Sequence, residues 1–385
     1  MGAAGPDFEV AIVGAGVVGA ALARALQGLR VALIAQAAPP RSAPGALEAR
    51  VYAISPGNAA FLERIGAWQA IARHRLAPVH GMRVFGDDGQ SRIDFDAWQS
   101  GAAELAWIVE DAELQCALRS GLGVFSAAEC ERIEVDAQRA TLSLGDGATL
   151  RANLVIGADG ARSVVRAQAG IAVREQGYGQ SAVVANFSCE RPHRNLAWQW
   201  FQGGPVLALL PLPGERVSMV WSVAQAQAAR LMALAPEELC AAVAAASHHA
   251  LGALALVSSP RAFPLRRLRA QRMIAPRTAL LGDAAHVIHP LAGQGANLGL
   301  QDARALAGVL LGREPFRDAG EARLLRRYER SRAGAVTAMD AVVHGLHGLF
   351  GSGGGGALAS LRNAGLNLAD RLPVLKNLLV RQAMA

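Results

Sequence analysis

The residues in this chain best suited to chemistry are glycines, acids and arginines set at the ends of apolar runs. In VAIVGAGVVGAAL (Val10 to Leu22), Gly14, Gly16 and Gly19 form G-x-G-x-x-G. Gly14 permits a tight turn, Gly16 lets the backbone approach a pyrophosphate, and Gly19 lets helix and strand pack closely. Ala15 sits among them, and the following helix would offer free N–H groups and its positive dipole end to phosphate. This is dinucleotide-binding chemistry. It normally includes an acid about 20 residues on, which holds ribose hydroxyls. Here VALIAQ ends in Ala35 and Gln36. Gln36 would have to act as a neutral amide, a weaker partner than a carboxylate, and Glu48 lies too far along to replace it.

Two later segments repeat the pattern of an apolar run followed by Gly and Asp. NLVIGADGARSVVR (Asn153 to Arg166) places Asp159 and Arg162 just after a strand. LLGDAAHVIHPLAGQGANLGLQDARAL (Leu280 to Leu306) places Gly282 and Asp283 after another. In the same segment Pro290, Gly293, Gln294, Gly295, Ala296 and Asn297 lead into a helix. His286 and His289 are three apart on a loop with no Cys or acid at ligand spacing, so no metal ion is expected. His248 and His249 have only adjacency to recommend them.

The elements that must position these residues follow from periodicity. Phe8 to Val13 and Arg30 to Ala35 read as strands around a helix from Gly16 to Leu26, a βαβ unit with a parallel sheet. Pro56 to Ile65 reads as a helix capped by Ser55. Val79 to Phe85 and Arg92 to Phe95 read as a hairpin, and Glu110 to Leu118 as a helix. Short strands from Arg132 to Leu150 turn at Gly145-Asp146-Gly147 and lead to a strand at Leu154 to Ile156. Gln176 to Val223, which carries Trp198, Trp200, Phe201 and Trp221, reads as an antiparallel sheet. The chain is expected to return to the first domain near Phe263. The apolar stretch Leu239 to Leu256 reads as a buried or amphipathic helix. After Ala319 the pattern is helical, interrupted by the glycine-rich tract Gly351 to Gly356.

Composition bounds the function. With 385 residues, 52% hydrophobic and 18% charged, the chain is a folded protein with room for more than one domain. The net charge of +7 comes from dispersed arginines, with Lys376 the single lysine, so no nucleic acid is expected. The run Arg266, Arg267, Arg269 and Arg272 reads as a solvated face. Cys116, Cys130, Cys189 and Cys240 are scattered, which suits reduced thiols in a cytoplasmic setting. The apolar run at Val10 follows Asp7 and Glu9, where a secretory signal would carry positive charge.

In order and spacing, the three segments resemble the flavin-dependent aromatic hydroxylases of the para-hydroxybenzoate hydroxylase-like superfamily. The third segment and the tail LRNAGLNLADRLPVLKNLLVRQAMA look like the subgroup that serves ubiquinone biosynthesis. The resemblance covers nearly the full length. It implies an α/β fold: a Rossmann-like FAD-binding domain, an inserted antiparallel β-sheet substrate domain and a helical C-terminal segment. The corresponding boundaries are 1–78, 104–175 and 262–320 for the FAD domain, 79–103 and 176–261 for the substrate domain, and 321–385 for the helices.

The resemblance also implies FAD as cofactor, NADPH or NADH as transient reductant, O2, and a hydrophobic aromatic substrate such as a polyprenylated phenol. Hydroxylation would then proceed through a flavin C4a-hydroperoxide, with the cofactor doing the difficult chemistry and no catalytic side chain named. By resemblance, Asp159 and Arg162 tie the pyrophosphate region to the nicotinamide entry surface. Asp283 meets the ribityl chain, and Arg50 and Gln115 lie near the cofactor. The helix after Gly293 would aim its N-terminus at the flavin's N1/C2=O edge, where its dipole stabilises the reduced anion. Ala296 departs from the bulkier residue often found there, in a role that is mainly backbone. Partners implied are other quinone-biosynthesis proteins and a peripheral contact with the inner face of the membrane. Three alternatives stay open: a hydroxylase of another aromatic, a prenyl-chain reductase, and a non-catalytic assembly subunit.

Overall fold

A computed structural model describes residues 7–36, 47–88, 91–288 and 295–351, with side chains to 341. The chain begins with β1 (Phe8–Val13), α1 (Val17–Ala25) and β2 (Val31–Ile34). Then come β3 (Val51–Ile54), α2 (Pro56–Arg64), β4 (Ala77–Val79), β5 (Gly81–Phe85), β6 (Arg92–Asp96), β7 (Ala106–Glu110) and α3 (Asp111–Arg119). The centre holds β8 (Cys130–Val135), β9 (Ala140–Leu144), β10 (Thr149–Gly157), α4 (Val164–Gln168) and β11 (Val173–Cys189). Next are β12 (Leu196–Phe201), β13 (Val206–Leu212), β14 (Arg216–Ala224), α5 (Gln225–Ala233) and α6 (Pro236–Ala246). The rest is β15 (Leu254–Leu256), β16 (Arg261–Ala270), β17 (Ile274–Ala275), β18 (Thr278–Leu280), β19 (His286–Val287), α7 (Gly295–Leu311) and α8 (Ala322–Gly351).

The first sheet orders its strands β17-β18-β10-β1-β2, and β18, β10, β1 and β2 run parallel. Val10, Ala11, Ile12, Leu154, Val155, Ile156, Ala279 and Leu280 are fully buried, as strands covered on both faces must be. Tight register aligns their carboxyl ends: Val13 pairs with Gly157, and Gly157 with Leu280. All three sequence segments therefore leave the sheet at one edge, where ligands bind in open parallel sheets.

The second sheet has nine strands, ordered β19-β16-β11-β14-β13-β12-β5-β6, with β15 on β11. It is antiparallel except where β12 runs parallel to β5. Phe187, Trp198, Trp200, Leu207, Met219 and Trp221 fill one face, under α5 and α6. A small third sheet, β3-β7-β4, is interleaved in sequence with β5 and β6 of the second.

Three readings need correction. The helix expected over Leu239 to Leu256 ends at Ala246, and Leu254–Leu256 is a strand. Ser247 Oγ bonds back to the Val243 carbonyl at 2.8 Å, after which His248 and His249 take left-handed φ of 51° and 53° and turn the chain. The chain does not leave the second sheet near Phe263: β16 pairs with β11 through Ala270. The arginine run is a solvated face only in part, because three of its side chains are held in ion pairs. Arg266 bonds Glu175, and Arg267 and Arg269 bond Asp340 of α8. Arg272 is exposed, Arg266 and Arg269 stay more than a third exposed, and Arg267 departs furthest from the solvated reading. Among the described residues no helix is long and apolar enough to cross a membrane.

Candidate flavin site

The first glycine turn is built by close backbone approach. Gly14 has φ of 99°, and a Cβ there would lie 2.3 Å from the Ala158 carbonyl oxygen. A Cβ on Gly19 would lie 2.0 Å from the Gly14 oxygen. Both positions exclude any side chain. Gly16 is different: it is exposed, and a Cβ there would meet nothing within 4 Å. The fold does not need a glycine at 16, so its bareness is available to a ligand at the N-terminus of α1. Ala15 is buried beside it.

The second turn is fixed by Asp159. Its Oδ2 accepts from Val164 and Val165 N–H at 2.7 and 3.2 Å, capping α4. Its buried Oδ1 has no partner among the described residues, leaving one lone-pair site for an incoming donor. Arg162 is exposed. The more deeply engaged cation is Arg166, absent from the sequence reading. Its guanidinium bonds the Ala161 carbonyl at 2.8 Å and the Ala284 carbonyl at 2.9 Å, tying the second turn to the third.

The third turn carries Gly282, at φ of 55°, and Asp283. Val18 of α1 wedges against it: Val18 Cγ2 would lie 3.1 Å from a Cβ on Gly282 and 2.4 Å from one on Gly299 of α7. The first turn, the third turn and α7 therefore meet around one valine. Asp283 reaches solvent inside this cleft. The surrounding protein strips hydration and raises its carboxyl pKa, against the opposing pull of His286, Arg50 and Arg266. Arg50 stacks over the Tyr52 ring at 5.4 Å, and its Nη1 lies 3.6 Å from Asp111 Oδ2. Burial lowers the Arg50 pKa, but Tyr52, Asp111, Asp283 and Glu48 more than reverse this. The cleft thus carries an arginine and an aspartate that feel each other's charge.

Several expected residues serve the frame. Gln115 donates to Asp111 Oδ1 at 2.7 Å, one turn back on α3. Gln36 is exposed at the end of β2, where its carbonyl accepts from Arg119. Glu48 Oε2 accepts from Ala112 N–H at 2.8 Å, so it caps α3. Asn297 is 1% exposed. Its Oδ1 accepts from Ser55 N–H and Asn58 Nδ2, both at 3.0 Å, and its Nδ2 donates to the Ala53 carbonyl at 2.8 Å. That side chain anchors α7 to β3 and α2. Gly295 and Ala296 are partly open at the start of α7, and a Cβ on Gly295 would meet nothing within 4 Å. His289, Pro290, Gly293 and Gln294 lie outside the described residues, as do the segments 37–46 and 352–385.

Sequence reading also missed Asp302 and Arg332, both nearly fully buried behind the third turn. The available signal was Asp302 itself, an acid on the apolar face of α7 beside Leu298, Ala303 and Leu306.

The sequence profile of the family described as "FAD binding domain" matches residues 7–342. A "Ubiquinone hydroxylase UbiL" from Rhodospirillum rubrum is 36% identical, over 100% of this chain and 91% of that protein. A "3-demethoxyubiquinol 3-hydroxylase" from Escherichia coli is 34% identical over 98% of each. The solved structure of Klebsiella pneumoniae HpxO, complexed with FAD and uric acid, superposes with a TM-score of 0.75 at 20% identity, over 97% of both chains. The last shows a shared fold. Together the profile and the two relatives place the chain plainly: it belongs to the FAD-dependent hydroxylases of ubiquinone biosynthesis, and its cofactor is FAD.

Proposed function

We propose that this protein hydroxylates the aromatic ring of a polyprenylated phenol on the way to ubiquinone, using NADPH or NADH and O2. The observation that carries the reading is the meeting of the third turn and Gly299 of α7 at Val18 of α1, with the second turn packed on the first through Ala158, at the carboxyl edge of a parallel sheet. Bound FAD supplies the redox chemistry, taking reducing equivalents from the nicotinamide and activating oxygen.

The chain's own residues bind, orient and shield. Gly14, Ala15 and Gly16 hold the pyrophosphate at the N-terminus of α1. Asp159 and Arg162 join the pyrophosphate region to the nicotinamide entry surface, Gln36 borders the adenosine ribose, and Arg50 and Gln115 lie beside the cofactor, Arg50 near the flavin. Gly282 and Asp283 take the ribityl hydroxyls. Gly295, Ala296 and the backbone of Asn297 bring the helix dipole of α7 to the ring, and by the resemblance alone Pro290, Gly293 and Gln294 belong to the same cofactor-binding set. No side chain is assigned as acid or base.

A hydrophobic substrate is supported by an apolar cluster where the second sheet meets α7. Val84, Ile93, Phe201, Val206, Ile288 and Leu298 form it, with Met82, Phe95 and Met339 packed around them. In this reading an aromatic ring and its prenyl chain would lie against this cluster, which keeps water from the reacting carbon. The first sheet and its helices form the FAD-binding lobe, and the nine-stranded sheet forms the substrate lobe. Contact with other quinone-biosynthesis proteins and with a membrane surface belongs to the same proposal, since a polyprenylated substrate resides in lipid.

Deleting the gene tests the reading. The expected result is loss of ubiquinone and accumulation of a precursor lacking one ring oxygen, whose position also identifies the carbon attacked. Normal ubiquinone with no precursor, in a strain lacking a second such hydroxylase, would overturn it. Oxygen consumption coupled to a hydroxylated product would exclude the reductase alternative.

A further inference from the structure

Behind the Gly282–Asp283 turn lies an ionic cluster that the binding of cofactor and substrate does not explain. Asp302, 0% exposed, accepts on Oδ2 from Gly282 N–H at 3.0 Å and from His286 Nε2 at 2.7 Å. Its Oδ1 accepts from Arg332 Nε at 2.6 Å. Arg332 Nη2 reaches the Leu298 carbonyl at 3.3 Å and Gln301 Oε1 at 3.1 Å. Four elements meet in one carboxylate: the third turn, β19, α7 and α8. The same helix, α8, is tied to the second sheet, because Arg267 Nε donates to Asp340 Oδ1 at 2.8 Å. β16, which carries Arg267, pairs with β19, which carries His286. The contacts close a ring from the cofactor turn through α7 and α8 to the substrate-side sheet and back.

A buried carboxylate of this kind is costly unless it is paired and fully hydrogen-bonded. One neutral side chain could satisfy Gly282 N–H alone. The two cations are needed only because Asp302 is charged, and each brings a different element to the turn.

We propose that Asp302, clasped by Arg332 and His286, is a positioning residue for the flavin, and that docking of α8 through Arg332 thereby governs how tightly the cofactor is held. This rests on the reading that places FAD at the Gly282–Asp283 turn. Burial works against a charged His286, yet the adjoining Asp302 and nearby Asp283 outweigh both burial and Arg332 and raise its pKa. The shift favours a proton on His286 where it faces the carboxylate, alongside the Arg332 pair.

The test is FAD titration of apoprotein, followed by flavin fluorescence, with thermal unfolding of the same apoproteins alongside. Arg332→Gln should weaken FAD binding at least tenfold, and Arg332→Lys should recover part of the loss. Arg277→Gln, which breaks the 2.6 Å pair with Asp318 before β18, controls for general destabilisation and should leave FAD affinity within about twofold of wild type. If Arg332→Gln does not fold, His286→Gln keeps the Asp302–Arg332 pair and should weaken FAD several-fold. Wild-type FAD affinity in the folded Arg332 or His286 variant would overturn the proposal, as would equal weakening by Arg277→Gln. Wild-type apoprotein that binds no FAD would overturn the cofactor reading, and this inference with it.

Discussion

The first and third turns both sit at the carboxyl edge of the same sheet and face the same cleft, yet they are built differently. The first turn is held by backbone against backbone: Gly14 against Ala158, Gly19 against Gly14. Its requirements are steric, and at positions 14 and 19 only glycine meets them. The third turn is held by long-range side chains, through Asp302, His286, Arg332 and Arg166. Its requirements are electrostatic and couple residues 16 to 118 positions apart. A steric device fails abruptly when altered. An ionic device loses affinity in steps and responds to pH.

The largest effect should come from Gly19→Val. A Cβ 2.0 Å from a main-chain oxygen cannot be relieved by moving a side chain. The loss should be about 3 kcal/mol or more, seen as failure to fold or a collapsed unfolding temperature. A Gly19→Val protein of wild-type stability would break the steric half of the comparison.

Gly16→Val should separate fold from ligand. Its Cβ meets open space, so apoprotein stability should fall by no more than about 1 kcal/mol, the scale of an altered helix cap. FAD affinity should fall by about two decades or more, roughly 2.7 kcal/mol, because the side chain occupies the phosphate approach. Calorimetry of apoprotein and FAD titration read the two halves. Unchanged FAD affinity would show that the phosphate does not lie there.

Asp283→Ala should give an intermediate loss, roughly 1.5–3 kcal/mol of FAD binding if the carboxylate accepts ribityl hydroxyls. That is about one to two decades in Kd. Gly295→Val should preserve the fold, since its Cβ also meets nothing within 4 Å. It should cut both flavin content and NAD(P)H-dependent oxygen consumption. Full flavin content in that variant would place the ring away from α7.

The smallest effect is pH-dependent. The folded pKa of His286 is raised above 6.5, so its contribution to stability is complete below 6.5 and is lost as pH rises through the raised value. Asp302 is lowered below 3.8, so its contribution is present above 3.8 and is lost only as pH falls through the lowered value. Asp302 from α7, Asp283 from the turn and Arg332 from α8 are the charges facing His286. The stability advantage of wild type over His286→Gln should therefore shrink between pH 6 and 9 in thermal unfolding. An advantage that grows over this range would contradict the ionic account.

The same contrast explains what the sequence revealed. Gly14 and Gly19 were legible because sterics leave glycine no substitute, and Gly16 because it completes the same short motif. β1, β10 and β18 were legible because a strand buried on both faces reads as an unbroken apolar run. Asn297 was found, but its side chain turns inward to Ser55 and Asn58, a pairing across more than 200 positions that no local pattern encodes. Arg166 was passed over for Arg162 because both follow the same turn and only the fold buries one of them. Arg267 and Arg269 looked solvated because their partner, Asp340, lies about 70 residues away on another element.

The central claim is that one FAD spans both turns, with its pyrophosphate at Gly14 to Gly16 and its ribityl chain at Asp283. An experimental structure of the protein reconstituted with FAD tests it directly. The account predicts phosphate oxygens within hydrogen-bond distance of the N–H groups at the start of α1, a ribityl hydroxyl on Asp283, and the ring facing Gly295 and the Phe201–Leu298 cluster. Flavin bound elsewhere, or bound with Asp283 and Gly16 both still open to solvent, would contradict it.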